Sequence, residues 1–191
     1  MRILYHGETL DRLRDSRHAA LVDAMVRRLR AEGWHVATEV SFNHFGKRGS
    51  IDILAFHPTT RALLIIEIKT VVPDVGGMLS TLDRKVRLAS QIAHERGWDA
   101  RTVSKVLVLP EESTARRRVH EHHATFETAF PDRNVDVNRW LRSPTGRLSG
   151  LQFLVNGSYP QREAEGIRRR HPSATHGAPL VTSQRPAGAS R

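Results

Sequence analysis

Cysteine is absent from this 191-residue chain. That excludes disulfide-stapled scaffolds and every thiolate metal site, so a metal would have to sit on carboxylates, histidines or carbonyls. Long apolar runs are missing too. The longest, Ala62-Leu63-Leu64-Ile65-Ile66, falls far short of the roughly 20 residues that span a bilayer, and residues 1–7 hold no signal-peptide core. A cytoplasmic protein with no membrane partner is the expectation. No Gly-x-x-x-x-Gly-Lys loop, dinucleotide fingerprint or Gly-x-Ser-x-Gly elbow occurs, which removes nucleotide hydrolysis and acyl transfer. Aromatics are only 6% of the chain, too few for a stacking platform on single strands.

What is abundant is arginine. There are 26 Arg against 4 Lys, and the formal charge is +10. Arg is the better bidentate phosphate partner, so nucleic acid is the first partner to test. The plainer alternative is a solvated charged face. Residues 157–191 carry four Gly, four Pro, five Ala and four Ser without apolar periodicity, a composition that cannot offset chain entropy by burial. They read as a basic disordered tail, and Arg168-Arg169-Arg170 within it would add non-specific affinity for polyanions or simply stay solvated. The remaining length, residues 1–156, is room for one domain.

Within that domain, Ser16 precedes a helical stripe of Val22, Met25, Val26 and Leu29 closed by Gly33; Leu10 and Leu13 suggest a further short helix upstream. Residues 34–42 alternate between apolar and polar, the period of a strand with one buried face. A polar loop over 43–48 leads to two strands, 50–56 and 62–69, joined by a tight turn at Pro58-Thr59-Thr60-Arg61. Both are apolar on each face, as central strands covered by helices on each side are. Ser80 then starts a helix with Leu82, Val86, Ala89 and Ala93 inward and Arg84, Arg87 and Gln91 outward, ending at Gly97. Residues 103–109 form a strand, 114–130 a third helix, 138–141 a short helix and 151–155 a last strand. A strand-helix-strand crossover of this length makes the fourth strand parallel to the third. The class is α/β: an αβββαβ core whose mixed central sheet has helices on both faces.

A hairpin centred between Thr59 and Thr60 pairs residues whose numbers sum to 119, which sets Asp52 opposite Glu67; Lys69, two residues on, shares the face. Like charges opposed across a strand pair are destabilising unless neutralised. A divalent metal is the economical neutraliser. Mg²⁺ takes hard oxygen ligands, commonly one or two carboxylates plus a substrate phosphate, and Lys69 would orient or deprotonate water or stabilise the transition state. The alternative is structural, an ion pair of Glu67 with Lys69, or Asp52 placed on a sheet edge. One strand back, a six-residue loop pairs residues summing to 91 and sets Glu39 beside Asp52, as a third acid or as an exposed strand glutamate.

The order αβββαβ, with Gly49-Ser50-Ile51-Asp52 on the second strand and Glu67-Ile68-Lys69 ending the third, resembles the PD-(D/E)xK superfamily of restriction-endonuclease-like nucleases. The resemblance covers residues 16–110. With Gly33-Trp34, Glu39, Gly46-Lys47-Arg48, Thr70 and Asp83-Arg84-Lys85-Val86-Arg87-Leu88, it is similar to an uncharacterised bacterial branch, some members of which are labelled transcriptional regulators. It implies a nuclease-like domain over residues 1–156, with Mg²⁺ or Mn²⁺ held by the carboxylates of Asp52 and Glu67 and the carbonyl of Ile68. Lys69 would be the catalytic lysine, and Lys85, Arg87 or Gln91 would contact the scissile phosphate. Related resolvase-like members carry an acid in the first helix, where residues 18–29 offer only Asp23. The motif's first position is Ile51 rather than Pro. Many nucleases of this architecture dimerise to cut two strands, which makes a homodimer one arrangement to expect.

Weaker signals remain. Lys47 and Arg48, between two glycines, would meet phosphates or form a solvated hairpin tip, and Arg84 joins the basic helix face. His120, His122 and His123 lack a further ligand at a defined zinc spacing and read as a histidine face. Arg116-Arg117-Arg118 opens the third helix, where the macrodipole disfavours cations and an anionic partner would relieve the conflict. The expected function is Mg²⁺-dependent phosphodiester hydrolysis on DNA by Asp52, Glu67, Lys69 and Glu39. The alternative is a DNA-binding or regulatory module on the same scaffold that no longer cuts, and a third reading is a protein-interaction module.

Overall fold

A computed structural model describes residues 5–44, 46–72 and 74–155; the expected tail over residues 157–191, with Arg168, Arg169 and Arg170, lies outside them. Helix α1 spans Tyr5–Ala31 without a break. The upstream turn expected as a separate piece is thus continuous with the main helix. The reason is local: no proline interrupts the stretch, and helix-forming charged residues carry it past the point where the apolar stripe begins. Leu10 and Leu13 stay exposed. Gly33, at φ +84, closes the helix, with Trp34 N–H donating to Leu29 O and Gly33 N–H to Arg30 O, the paired bonds of a Schellman end.

The chain then forms β1 (His35–His44), β2 (Lys47–His57) and β3 (Ala62–Ile68). The loop expected over 43–48 is instead a tight hairpin tip, with His44 opposite Lys47; its centre is unchanged, so the register is unchanged. The β1–β2 pairs, from His35↔Phe56 to His44↔Lys47, keep the sum of 91. The β2–β3 pairs, from Ile53↔Ile66 to His57↔Ala62, keep the sum of 119.

Helix α2 spans Val75–His94 behind Asp74, one and a half turns earlier than a start at Ser80. Gly76 and Gly77 lie in its first turn, where a Cβ on Gly77 would collide with the Asp74 carboxylate. The apolar stripe accordingly begins at Val75 and Met78. β4 (Thr102–Pro110) pairs parallel with β3, and β5 (Ser149–Leu154) parallel with β4. The third helix divides into α3 (Ser113–Glu121) and α4 (His123–Ala129), because His122 leaves helical dihedrals at φ −117, ψ 29. Ala115 and Phe126 both become buried across this bend. Helix α5 spans Asn134–Arg142.

The result is a five-stranded mixed sheet in sequence order, antiparallel through β3 and parallel thereafter. On one face Leu54, Leu63 and Ile65 pack with Leu82 and Ala89 of α2 and with Phe126 and Phe130. On the other, Ile53, Leu64 and Ile66 pack with Leu21, Met25 and Leu29 of α1 and with Val137 and Trp140 of α5. This is the α/β class, with helices on both faces. Among the described residues no helix is long and apolar enough to cross a membrane.

Candidate functional site

Strand β3 is buried at every position, so any polar side chain on it must be matched inside the protein. Glu67 is that side chain, 2% exposed. The β2–β3 ladder's last pair is Ile53↔Ile66, and the next step carries Asp52 opposite Glu67. There the ladder gives way to a side-chain bond: Ile68 N–H donates to Asp52 Oδ2 at 2.7 Å. Lys69, just past β3, is pinned by its backbone N–H to Val108 O at 3.0 Å.

The cations are arranged unevenly. Lys69 Nζ lies 2.7 Å from Glu67 Oε1, and Lys85 Nζ, from α2, lies 2.5 Å from Glu67 Oε2. Lys85 is 6% exposed. It was expected on the phosphate-contacting face of its helix; it is turned inward and tied to Glu67. Both oxygens of that carboxylate are therefore engaged. The ion pair of Glu67 with Lys69, the alternative reading of the motif, is present in this arrangement.

Around Asp52 the balance is reversed. Glu39 stands opposite it on β1, at φ +48, a left-handed backbone that costs a non-glycine residue about 1–3 kcal/mol and is tolerated mainly at functional positions. His18 of α1 completes the group: one ligand atom from each of His18, Glu39 and Asp52 lies within 4.8 Å of the other two. His18 Nε2 is 3.9 Å from Glu39 Oε1, and Ser50 Oγ donates to Glu39 Oε2 at 3.5 Å. Asp23, the only acid that residues 18–29 offer, is exposed and bonded to Arg27. It is no part of the site.

His18 escaped the sequence reading because an acid was sought at that position. The signal was there. His18 precedes Leu21, Met25 and Leu29 by three, seven and eleven residues, extending the buried stripe by a turn. Asp23 falls out of phase with it.

Burial pushes the Asp52 carboxyl above its ordinary value and the charge of Glu67 adds to this, against the Ile68 N–H bond and the charges of Lys85 and His18. Burial works to lower Lys69, but the hydrogen bond and charge of Glu67, with the charge of Asp52, hold it above its ordinary value. Lys69 is therefore an ammonium at neutral pH, suited to stabilising negative charge rather than to taking a proton. A cavity of about 600 Å³ opens here, walled by Arg14 and His18, by Glu67 and Lys69, and by Gly77 and Thr81 of α2.

The other expected contacts lie apart. Arg87 and Gln91 are exposed on α2, and Arg48 is exposed near the hairpin tip; the side chain of Lys47 lies outside the described ones. Arg84 is partly buried, its Nε without a hydrogen-bond partner among the described residues. The three arginines opening α3 find acids within the chain, Arg116 on Glu111 and both Arg117 and Arg118 on Glu121.

A divalent cation fits this donor set. Asp52 is buried against a second carboxylate, and Glu39 and His18 bring further ligand atoms to it. Neither a protein-family model nor a curated protein matches the chain.

Proposed function

We propose that this chain is a metal-dependent phosphodiester hydrolase of the restriction-endonuclease-like kind, acting on DNA with Mg²⁺ or Mn²⁺. The observation that carries the reading is the meeting of Asp52, midway along β2, with Glu67 and Lys69 at the end of β3, where the last two line an open cavity. An Asp and a Glu-x-Lys run at chance spacing would have no reason to converge there. The mixed sheet and the αβββαβ order support the same reading.

When bound, the cation would polarise a phosphoryl oxygen and lower the pKa of a water beside it. Asp52 would hold it, with Glu39 beside it on β1 and Glu67 and the Ile68 carbonyl at the cavity wall as the further donors. Attack by water forms one P–O bond as the ester P–O bond breaks; the water gives up a proton to solvent, the leaving alkoxide takes one up, and the extra negative charge of the transition state between them has to be stabilised. Lys69, charged and partly exposed toward the cavity, supplies a fixed positive partner for that charge. Lys85 acts further back, fixing the rotamer of Glu67. Arg14 at the cavity wall offers phosphate contact from α1.

A second reading, a DNA-binding or regulatory module that no longer cuts, is favoured by one observation: two lysines neutralise Glu67 without any metal. The two readings separate on chelation, because arginine contacts to phosphate survive it and hydrolysis does not. Supercoiled and branched DNA, incubated with the purified protein in Mg²⁺ or Mn²⁺, should be cut. Cutting should disappear with chelator and in Asp52→Ala and Lys69→Ala proteins. DNA that is bound at moderate salt yet left intact with either metal would favour the binding module.

A further inference from the structure

We propose that the metal seat of this chain is His18, Glu39 and Asp52, and that it takes a divalent transition metal in preference to Mg²⁺. The inference deepens the hydrolase reading, on which it rests for its role, and departs from the ligands which the resemblance implies, Asp52, Glu67 and the Ile68 carbonyl. Three elements, α1 and the two strands of the β1–β2 hairpin, deliver one ligand atom each to a site within which no separation exceeds 4.8 Å. Bonds of about 2.1 Å in octahedral geometry put ligand atoms about 3–4 Å apart, so a small side-chain rotation closes the set.

Two further observations point to a cation here. Asp52 is only 8% exposed, and while Oδ2 accepts from Ile68 N–H, Oδ1 receives no hydrogen bond from any described residue. That oxygen is open to a cation, and the burial of the rest of the carboxylate makes a positive partner worth more there than at the surface. The second observation is charge. Glu67 pairs directly with two ammonium groups, whereas Asp52 and Glu39 have no Lys or Arg within ion-pair distance among the described residues: the charges of Lys69 and Lys85 reach Asp52 only from farther off, and the imidazole of His18 lies beside Glu39. The missing positive charge is on the Asp52 side. Glu67, with both oxygens occupied, is the poorer ligand.

The imidazole decides the metal class. Mg²⁺ prefers an all-oxygen shell and keeps its waters, while a nitrogen donor with two carboxylates suits first-row transition metals. Mn²⁺ is the stringent probe, since it is the weakest binder of that row.

The experiment is titration of Mn²⁺ into the full chain, with free Mn²⁺ read by electron paramagnetic resonance and folding checked by circular dichroism. His18→Asn and Glu39→Gln should weaken binding by about tenfold or more, and Glu67→Gln by no more than about threefold. Mg²⁺ should displace Mn²⁺ only in large excess. Pulsed resonance on the loaded wild type should show coupling to a directly bound imidazole nitrogen that is lost in His18→Asn. Absence of that coupling in the wild type overturns the proposal whether or not the variant folds. So does unchanged affinity in a folded His18→Asn protein, a loss of binding confined to Glu67→Gln, or no binding at ~1 mM Mn²⁺. DNA cleavage is scored separately. A His18-dependent seat without cleavage removes the hydrolase reading and leaves the seat; cleavage with His18-independent metal binding does the reverse.

Discussion

Two carboxylates that face each other across one strand pair have opposite electrostatic fates. Glu67 is deeply buried and held by two lysines, one of them buried with it. Asp52 is nearly as buried but has one backbone N–H, a neighbouring glutamate and a histidine. The first arrangement is complete in the folded chain; the second has room for a cation. A site can thus be half built for stability and half for binding, and a substitution should act differently on each half.

The largest effect is expected at the complete half. Glu67→Ala would strand the buried Lys85 ammonium and should cost about 3–5 kcal/mol, lowering the thermal midpoint by roughly 10 °C. Adding Lys85→Met to that variant should recover most of the loss. If the single variant melts like wild type, the ion pair does not hold Glu67 in place. Next comes Lys69→Ala, whose side chain is 38% exposed and whose removal should disturb folding little. Its cleavage rate should fall by about 10²–10³ through lost charge stabilisation, read as initial rates on supercoiled DNA. A fall of less than threefold would move the catalytic charge elsewhere.

At the incomplete half the sign reverses. A carboxyl whose pKa is raised by folding binds its proton more readily folded than unfolded. Its ionisation therefore costs stability, a cost absent below the ordinary aspartate range of about 4 and complete above the raised value. Asp52→Asn should consequently be more stable than wild type at pH 7, on the order of 1 kcal/mol, with the gap closing as the pH falls toward about 4. Added Mn²⁺ should narrow the gap too, by stabilising only the wild type. A melting series at several pH values checks this, and a constant gap would mean that Asp52 ionisation is not the cause. The smallest effect is expected at Asp23, exposed and paired with Arg27. Asp23→Asn should change stability by less than about 0.5 kcal/mol and leave cleavage as it was, measured beside the other variants.

Much of this arrangement was legible because it is local. The tight turn at residues 58–61 sets the β2–β3 register, and the close pairing of His44 with Lys47 sets the β1–β2 register, so the neighbouring pairs leave Asp52 opposite Glu67 on one side and Glu39 on the other, where counting put them. The strand-helix-strand spacing likewise made β4 parallel to β3. Errors gathered where helices begin or bend. Ser80 is a good capping residue, but burial of Val75 and Met78 against the core set the actual start of α2. His122 bends the third helix because its two halves bury Ala115 and Phe126 by different routes.

By itself, then, the sequence determined the α/β order, the registers of the two hairpins and the placing of Asp52 opposite Glu67, since hairpin geometry propagates with a period of two from a turn a few residues long. The tertiary structure alone decided that His18 and Lys85 complete the site. Each sits on a helix whose rotation and depth are set by packing against the sheet, His18 through Leu21, Met25 and Leu29 and Lys85 through Leu82 and Ala89. No residue spacing between a helix and a distant strand encodes that contact, so which cation holds Glu67, and which ligand faces Asp52, emerges only when both faces of the sheet are covered.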